Sequence, residues 1–198
     1  NCVILTLIFI CTAVELLLSA ADAGLLGSTR WRTLWLDNGA FWPGLLRDWQ
    51  PNYAAQPWMM FGTYAFLHVG PMHLFGNMLG LIWLGPSLQN RIGLLGFCAL
   101  WLTAASGGAV CFAILSTTAA PMVGASGAIF GLLGAIVALD YLARGYLTPV
   151  INMTGLLIAM NGLMFVVEDG GLAWETHLGG YLAGVIAIAA LNPVQTTS

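Results

Sequence analysis

Lysine is missing altogether from this 198-residue chain, and charge of either sign is scarce: Asp, Glu and Arg together make up only 7% of it. A soluble globular protein carries about 25% charged residues, so a water-bathed domain is excluded on composition. Five Arg stand against eight Asp and Glu, which leaves no basic face for nucleic acid. Closely spaced cysteines are also lacking. Cys2, Cys11, Cys98 and Cys111 each sit inside an apolar run, without the spacing of a metal knuckle or redox pair. They read as small buried hydrophobes. The histidines have no thiolate or carboxylate companions at ligand spacing, so neither a metal nor a cofactor is expected. Tandem repeats, low-complexity tracts and a second domain are absent as well.

What the chain does have is hydrophobic sequence, 59% of it, with eight Trp, nine Phe and five Tyr, rings suited to membrane interfaces. Crossing the hydrocarbon takes about 20 helical residues. Six runs approach that length: Val3–Ala21, Tyr64–Leu84, Leu94–Ser116, Ala125–Leu142, Thr148–Val167 and Thr176–Leu191. Helices are required because unpaired backbone groups are too costly in lipid. The expected fold is therefore all-α: one polytopic membrane domain over 1–198, with six transmembrane helices and a long first loop, 22–63. That loop interleaves Trp31, Trp35, Trp42, Trp49 and Trp58 with Arg30, Arg32, Arg47, Asp37 and Asp48, a mixture suited to short amphipathic pieces at the interface. The first residue is Asn1, so upstream sequence is expected. Val3–Ala21 lacks a basic flank and precedes five more runs, and reads as a spanning helix rather than a signal peptide.

Six crossings put the starts of runs two, four and six on the side of the long loop. The unusual polar residues collect there. His68, His73 and Asn77 open run two, Ser126 opens run four and His177 opens run six. Buried polar groups in membrane helices face the bundle interior or a water-filled cavity, and are functional candidates by default. His73 and Asn77, four apart, share a helix face. His68 precedes Gly70-Pro71, where a helix can begin, and belongs to the approach to it, held by hydrogen bonds. A serine needs a base within about 3 Å to act as a nucleophile, and His177 is the base that close packing of runs four and six would supply. Gly127 and Gly131 in one run, Gly180 and Gly184 in the other, have the small-residue spacing that lets helices approach in lipid. Backbone N–H groups at the start of run four, with His73 and Asn77, would supply oxyanion donors. No carboxylate is placed to orient His177: Glu175, Glu168 and Asp169 all stand poorly, so a dyad is expected. At this point a hydrolytic site, a channel or transporter, and a polar packing network all remain open.

HVGPMHLFGN (68–77), GASG (124–127) and HLGGYLAG (177–184) together resemble the rhomboid family of intramembrane serine proteases, whose patterns HxxxxHxxxN, GxSG and HxxGxxxG fall in helices two, four and six. The likeness covers nearly the whole chain. It implies a Ser126–His177 dyad, an oxyanion site of His73, Asn77 and the Ser126 N–H, and a structural role for His68. Gly124 is the first residue of the nucleophile motif. Phe130 matches an aromatic position beneath the catalytic histidine. The resemblance further implies transmembrane protein substrates, lipid contact without an obligatory protein partner, and a bacterial inner-membrane location with the site open to the outer side. Where relatives often carry Trp-Arg ahead of the first histidine, this chain has Met59-Met60. Trp31-Arg32 stands too early to be that pair, which puts the anchoring of the first loop in question. The rival readings are an inactive relative that binds membrane clients, and a transporter or channel. The latter is poorly served by inner helix halves that offer little beyond Asp140 and Asn152. Glu15 has no assigned role.

Overall fold

The computed structural model describes residues 2–146, 148, 151–152, 155, 158–159, 161–162 and 172–191. Among them, helices are the only regular elements, joined by one isolated bridge between Phe41 and Met122. α1 spans Cys2–Asp22, α2 Trp31–Gly39, α3 Gln56–Thr63, α4 Pro71–Leu115, α5 Ser126–Arg144 and α6 Trp174–Leu191, with 3-10 turns at Pro43–Leu46 and Tyr64–Phe66. The described residues between 148 and 162 are helical too. The rest of run five and the Glu168–Gly171 loop lie outside the described residues.

Three of the described helices, α1, α4 and α5, are long and apolar enough to cross a membrane. At 1.5 Å per residue, the 21 residues of α1 reach about 32 Å, which matches a hydrocarbon core of about 30 Å. α4, at 45 residues, is broken at Gly93, whose φ of 74° and ψ of 177° are not helical. Gly80, before the break, lies against Ile129, while Ala104, after it, lies against Gly131. Both arms thus return to the same turn of α5, and α4 is a hairpin of 71–92 and 94–115. Arg91 beside the bend pairs with Asp140 near the end of α5, at 2.9 Å.

Two boundaries differ from the sequence expectation. The apolar second run was bounded at Tyr64, while the helix itself starts at Pro71, the place where Gly70-Pro71 allowed one to begin. Residues 64–66 form a single 3-10 turn, and Gly70 has a φ of 115°, a conformation that favours glycine. At its other end the helix continues past Leu84 and through Pro86. A proline inside a helix costs one backbone bond, and membrane helices tolerate it because neighbouring groups satisfy the freed carbonyl. The cysteine expectation also fails in part. All four thiols are free and Cys11 is buried, but Cys2 is exposed.

Apolar side chains ring the outside. Leu5, Phe9, Leu16, Phe75, Leu79, Trp83, Leu95, Leu102 and Ile186 are all more than half exposed. A belt this large is incompatible with water and matches a lipid-facing surface. The inside, in contrast, is built on glycine. A Cβ at Gly180 would overlap the carbonyl oxygen of Gly127, and one at Gly184 would overlap that of Gly131. Gly179 lies as closely on Gly107 and Cys111 of the second α4 arm. α6 is therefore gripped from two sides at backbone distance, as small residues at four-residue spacing allow.

The long loop is not loosely attached. Phe41 is fully buried, edge-on to Phe61, Tyr64 and Phe112. Its backbone exchanges two 2.9 Å hydrogen bonds with Met122, four residues before Ser126.

Candidate active site

The helix starts that the sequence singled out come together. Ser126 is the first residue of α5, His177 the fourth of α6 and His73 the third of α4. Ser126 Oγ lies 2.9 Å from His177 Nε2. The reason is local: Gly127, next to the serine, and Gly180, one turn after the histidine, touch backbone to backbone. His177 is buried, at 5% exposure, whereas Ser126 is partly open.

Two further contacts fix the imidazole. Phe130, one turn along α5 from Ser126, stacks on its face with centroids 4.2 Å apart and planes 18° apart. On the far edge, His177 Nδ1 lies 2.7 Å from Asn161 Oδ1. An amide oxygen only accepts, so Nδ1 carries the proton and donates it there. Nε2 is then bare and accepts from the Ser126 hydroxyl. Sequence reasoning missed Asn161. It sought a carboxylate for this place, found Glu175, Glu168 and Asp169 poorly placed, and expected a dyad without a third group.

The remaining predicted residues are linked to one another through His73. Gly124 has a φ of 118°, and a Cβ there would come within 2.8 Å of the His73 ring. Glycine is thus needed twice over, for backbone freedom and for room. Its N–H donates to the Tyr64 carbonyl at 3.0 Å. His73 meets His68 edge-on, with centroids 5.3 Å apart. Asn77 is buried, and its amide nitrogen donates to the His73 carbonyl at 2.8 Å. An amide nitrogen has two N–H donors, and this bond uses one.

His68 is fully buried, and its carbonyl accepts from Arg32 Nη1 at 2.9 Å. That contact answers the question of loop anchoring. The same guanidinium grips both carboxylate oxygens of Glu15, at 2.8 and 3.0 Å, and also bonds Asp22 and Ser19. Glu15 has 1% of its surface exposed. The bidentate bond to Glu15, and secondarily the one to Asp22, pushes the Arg32 pKa above its ordinary value. Arg32 on α2 therefore ties the first loop to α1 and to the approach of α4. A cavity of about 600 Å³ opens beside this clamp, lined in part by Asp22, Arg32, Val69 and Pro71, without reaching Ser126 or His177. Among the described residues, no cluster of His, Cys, Asp and Glu could hold a metal ion.

Comparison with known proteins sets the chain among relatives. A family model described as the Rhomboid domain matches residues 54–193. Rhomboid protease GluP of Bacillus subtilis is 31% identical over 135 residues, covering 68% of this chain and 26% of that protein. RHOMBOID-like protein 1 of Arabidopsis thaliana is 34% identical over 137 residues, 65% of this chain and 33% of its own length. Rhomboid-like protease 1 of Toxoplasma gondii is 31% identical over 150 residues, 74% of this chain and 49% of the relative. The chain thus spans between a quarter and a half of the length of these relatives.

Proposed function

The chain belongs to the rhomboid family, and from that premise we propose that it is an intramembrane serine endopeptidase, cutting peptide bonds in or near transmembrane segments of membrane proteins. The observation that carries this reading is the 2.9 Å contact between Ser126 Oγ and His177 Nε2. Membership also makes it an integral membrane protein. The finer reading is a six-helix bundle within one membrane domain, its first loop lying at the interface. The site opens to the outer side of a bacterial inner membrane.

The mechanism follows from the arrangement of groups. A substrate helix comes in sideways from lipid and unravels, since its backbone bonds must open before a carbonyl can be attacked. Ser126 Oγ bonds to the carbonyl carbon while its proton passes to His177 Nε2. Charge develops on the carbonyl oxygen, and donors from His73, Asn77 and the Ser126 N–H hold it. One such donor lowers the barrier by about 3 to 4 kcal/mol where geometry is good. The C–N bond then breaks and His177 returns the proton to the leaving amine. Water, deprotonated by the same nitrogen, attacks the acyl-enzyme, releases the carboxylic acid and restores Ser126. The stacked Phe130 and the Nδ1 partner keep the ring in one plane through these transfers.

The test is cleavage of a transmembrane reporter by purified protein in liposomes. Wild type is expected to cut it, and Ser126→Ala to lose all activity. Cleavage that survives the substitution overturns the proposal, and wild-type binding without cleavage favours the client-binding reading instead.

A further inference from the structure

Asn161 was not sought as a partner for the histidine, yet its side chain occupies the position that an orienting group needs. We infer that Asn161 is the positioning residue of a Ser126–His177–Asn161 triad; the inference rests on the proteolytic reading above.

The geometry is that of a relay with one fixed end. Imidazole can place its proton on either nitrogen, and only the Nδ1–H form leaves Nε2 free to accept from a serine hydroxyl. Asn161 Oδ1 at 2.7 Å from Nδ1 selects that form, because a carbonyl oxygen rewards a donor and repels a bare ring nitrogen. It also fixes rotation about the ring axis, while Phe130 at 4.2 Å fixes the plane. The burial of the ring, 5% exposed, strengthens both effects, because hydrogen bonds weigh more in a low-dielectric interior. An amide does this without a second charge beside the ring. A carboxylate would do more, stabilising the imidazolium as well as the tautomer.

The other titratable groups nearby are His73 from α4 and the Tyr64 hydroxyl, which reaches the Gly127 and Thr176 side of the packing, while Glu175, two residues back on α6, is buried beside Cys111. The group in hydrogen-bond contact with Nδ1 is Asn161.

The experiment uses the full chain in detergent, with Asn161→Leu, Asn161→Asp and Ser126→Ala beside wild type. Leucine keeps the branching at Cγ, in a somewhat larger side chain, without an acceptor, so kcat is expected to fall by about ten- to a hundredfold, below the loss seen when a carboxylate orienter is mistuned, with KM nearly unchanged. Aspartate restores an acceptor at the same place and should recover most of that loss. It should also move the acid limb of the kcat/KM profile to higher pH, because a carboxylate favours the protonated ring.

A second readout needs no proteolysis: ¹⁵N shifts of labelled histidine should show His177 as the Nδ1–H tautomer in wild type and as a mixture in Asn161→Leu. Wild-type kcat in a folded Asn161→Leu, or an unmoved acid limb in Asn161→Asp, overturns the inference. If the leucine variant does not fold, the aspartate profile decides. Should wild type cut nothing, or Ser126→Ala cut normally, the proteolytic reading fails, and the tautomer measurement still decides whether Asn161 orients the ring.

Discussion

Gly180 of α6 rests on the carbonyl oxygen of Gly127 in α5, with no room for a methyl group between them. This contact sets the serine–histidine distance, because Ser126 precedes one glycine and His177 stands one turn before the other. Packing and chemistry are therefore the same feature at this point of the bundle.

Gly180→Ala should separate the two helices. Overpacking of this kind costs about 1–3 kcal/mol, and a misplacement of about 1 Å costs on the order of a hundredfold in rate. Reporter cleavage should therefore drop much further than the melting temperature. Gly62→Ala in α3, where a Cβ meets nothing within 4 Å, should leave both quantities close to wild type.

Arg32→Ala leaves Glu15 buried with its charge uncompensated. Breaking one side of such a pair costs about 3–5 kcal/mol, which should appear as a lowered unfolding transition. Adding Glu15→Gln should restore much of the loss, since the orphaned charge is gone. An equal deficit in the double variant would mean that the arginine acts through Asp22, Ser19 and the His68 carbonyl instead.

Gly124→Ala meets two obstacles, a φ of 118° and the His73 ring. Strained backbone of this type costs about 1–3 kcal/mol. The expected result is a folded but less stable protein whose cleavage rate is strongly reduced, measured against its own thermal transition.

Phe130→Leu removes the ring stacked on His177 and keeps an apolar side chain. Aromatic contacts of this kind contribute about 0.5–1.5 kcal/mol, so kcat should fall by about two- to tenfold, with little change in KM. A change confined to KM would instead place Phe130 in substrate binding.

The sequence was most informative where one physical rule acts on a short segment. Ser126, His177 and the four glycines could be read because small-residue spacing and helix starts are local signals. Their outcome was legible too: two helices in close contact, with the serine and histidine side chains meeting. α1, the second α4 arm and α5 were legible as apolar runs, each within two residues of the observed ends.

What escaped had its partners far away in the chain. Arg32 looks like one more loop arginine until α2 folds against Glu15, 17 residues earlier, and against the His68 carbonyl, 36 residues later. Asn161 lies in a mostly apolar run that also holds Asn152 and Thr154, and only the arrangement of helices brings it to Nδ1 of His177. The helical continuation through Pro86 was hidden because proline ends helices in water, a rule that weakens in lipid. Phe41 was one aromatic among many in the loop, with no local pattern to mark it as the side chain that enters the core.

The most direct test of the account is covalent labelling by a fluorophosphonate, which reacts only with a serine whose hydroxyl is activated. Wild type should be labelled at Ser126, and both Ser126→Ala and His177→Ala should remain unlabelled. Equal labelling of His177→Ala, or label found on another residue, would contradict the claim that the 2.9 Å contact between Ser126 and His177 makes this hydroxyl a nucleophile.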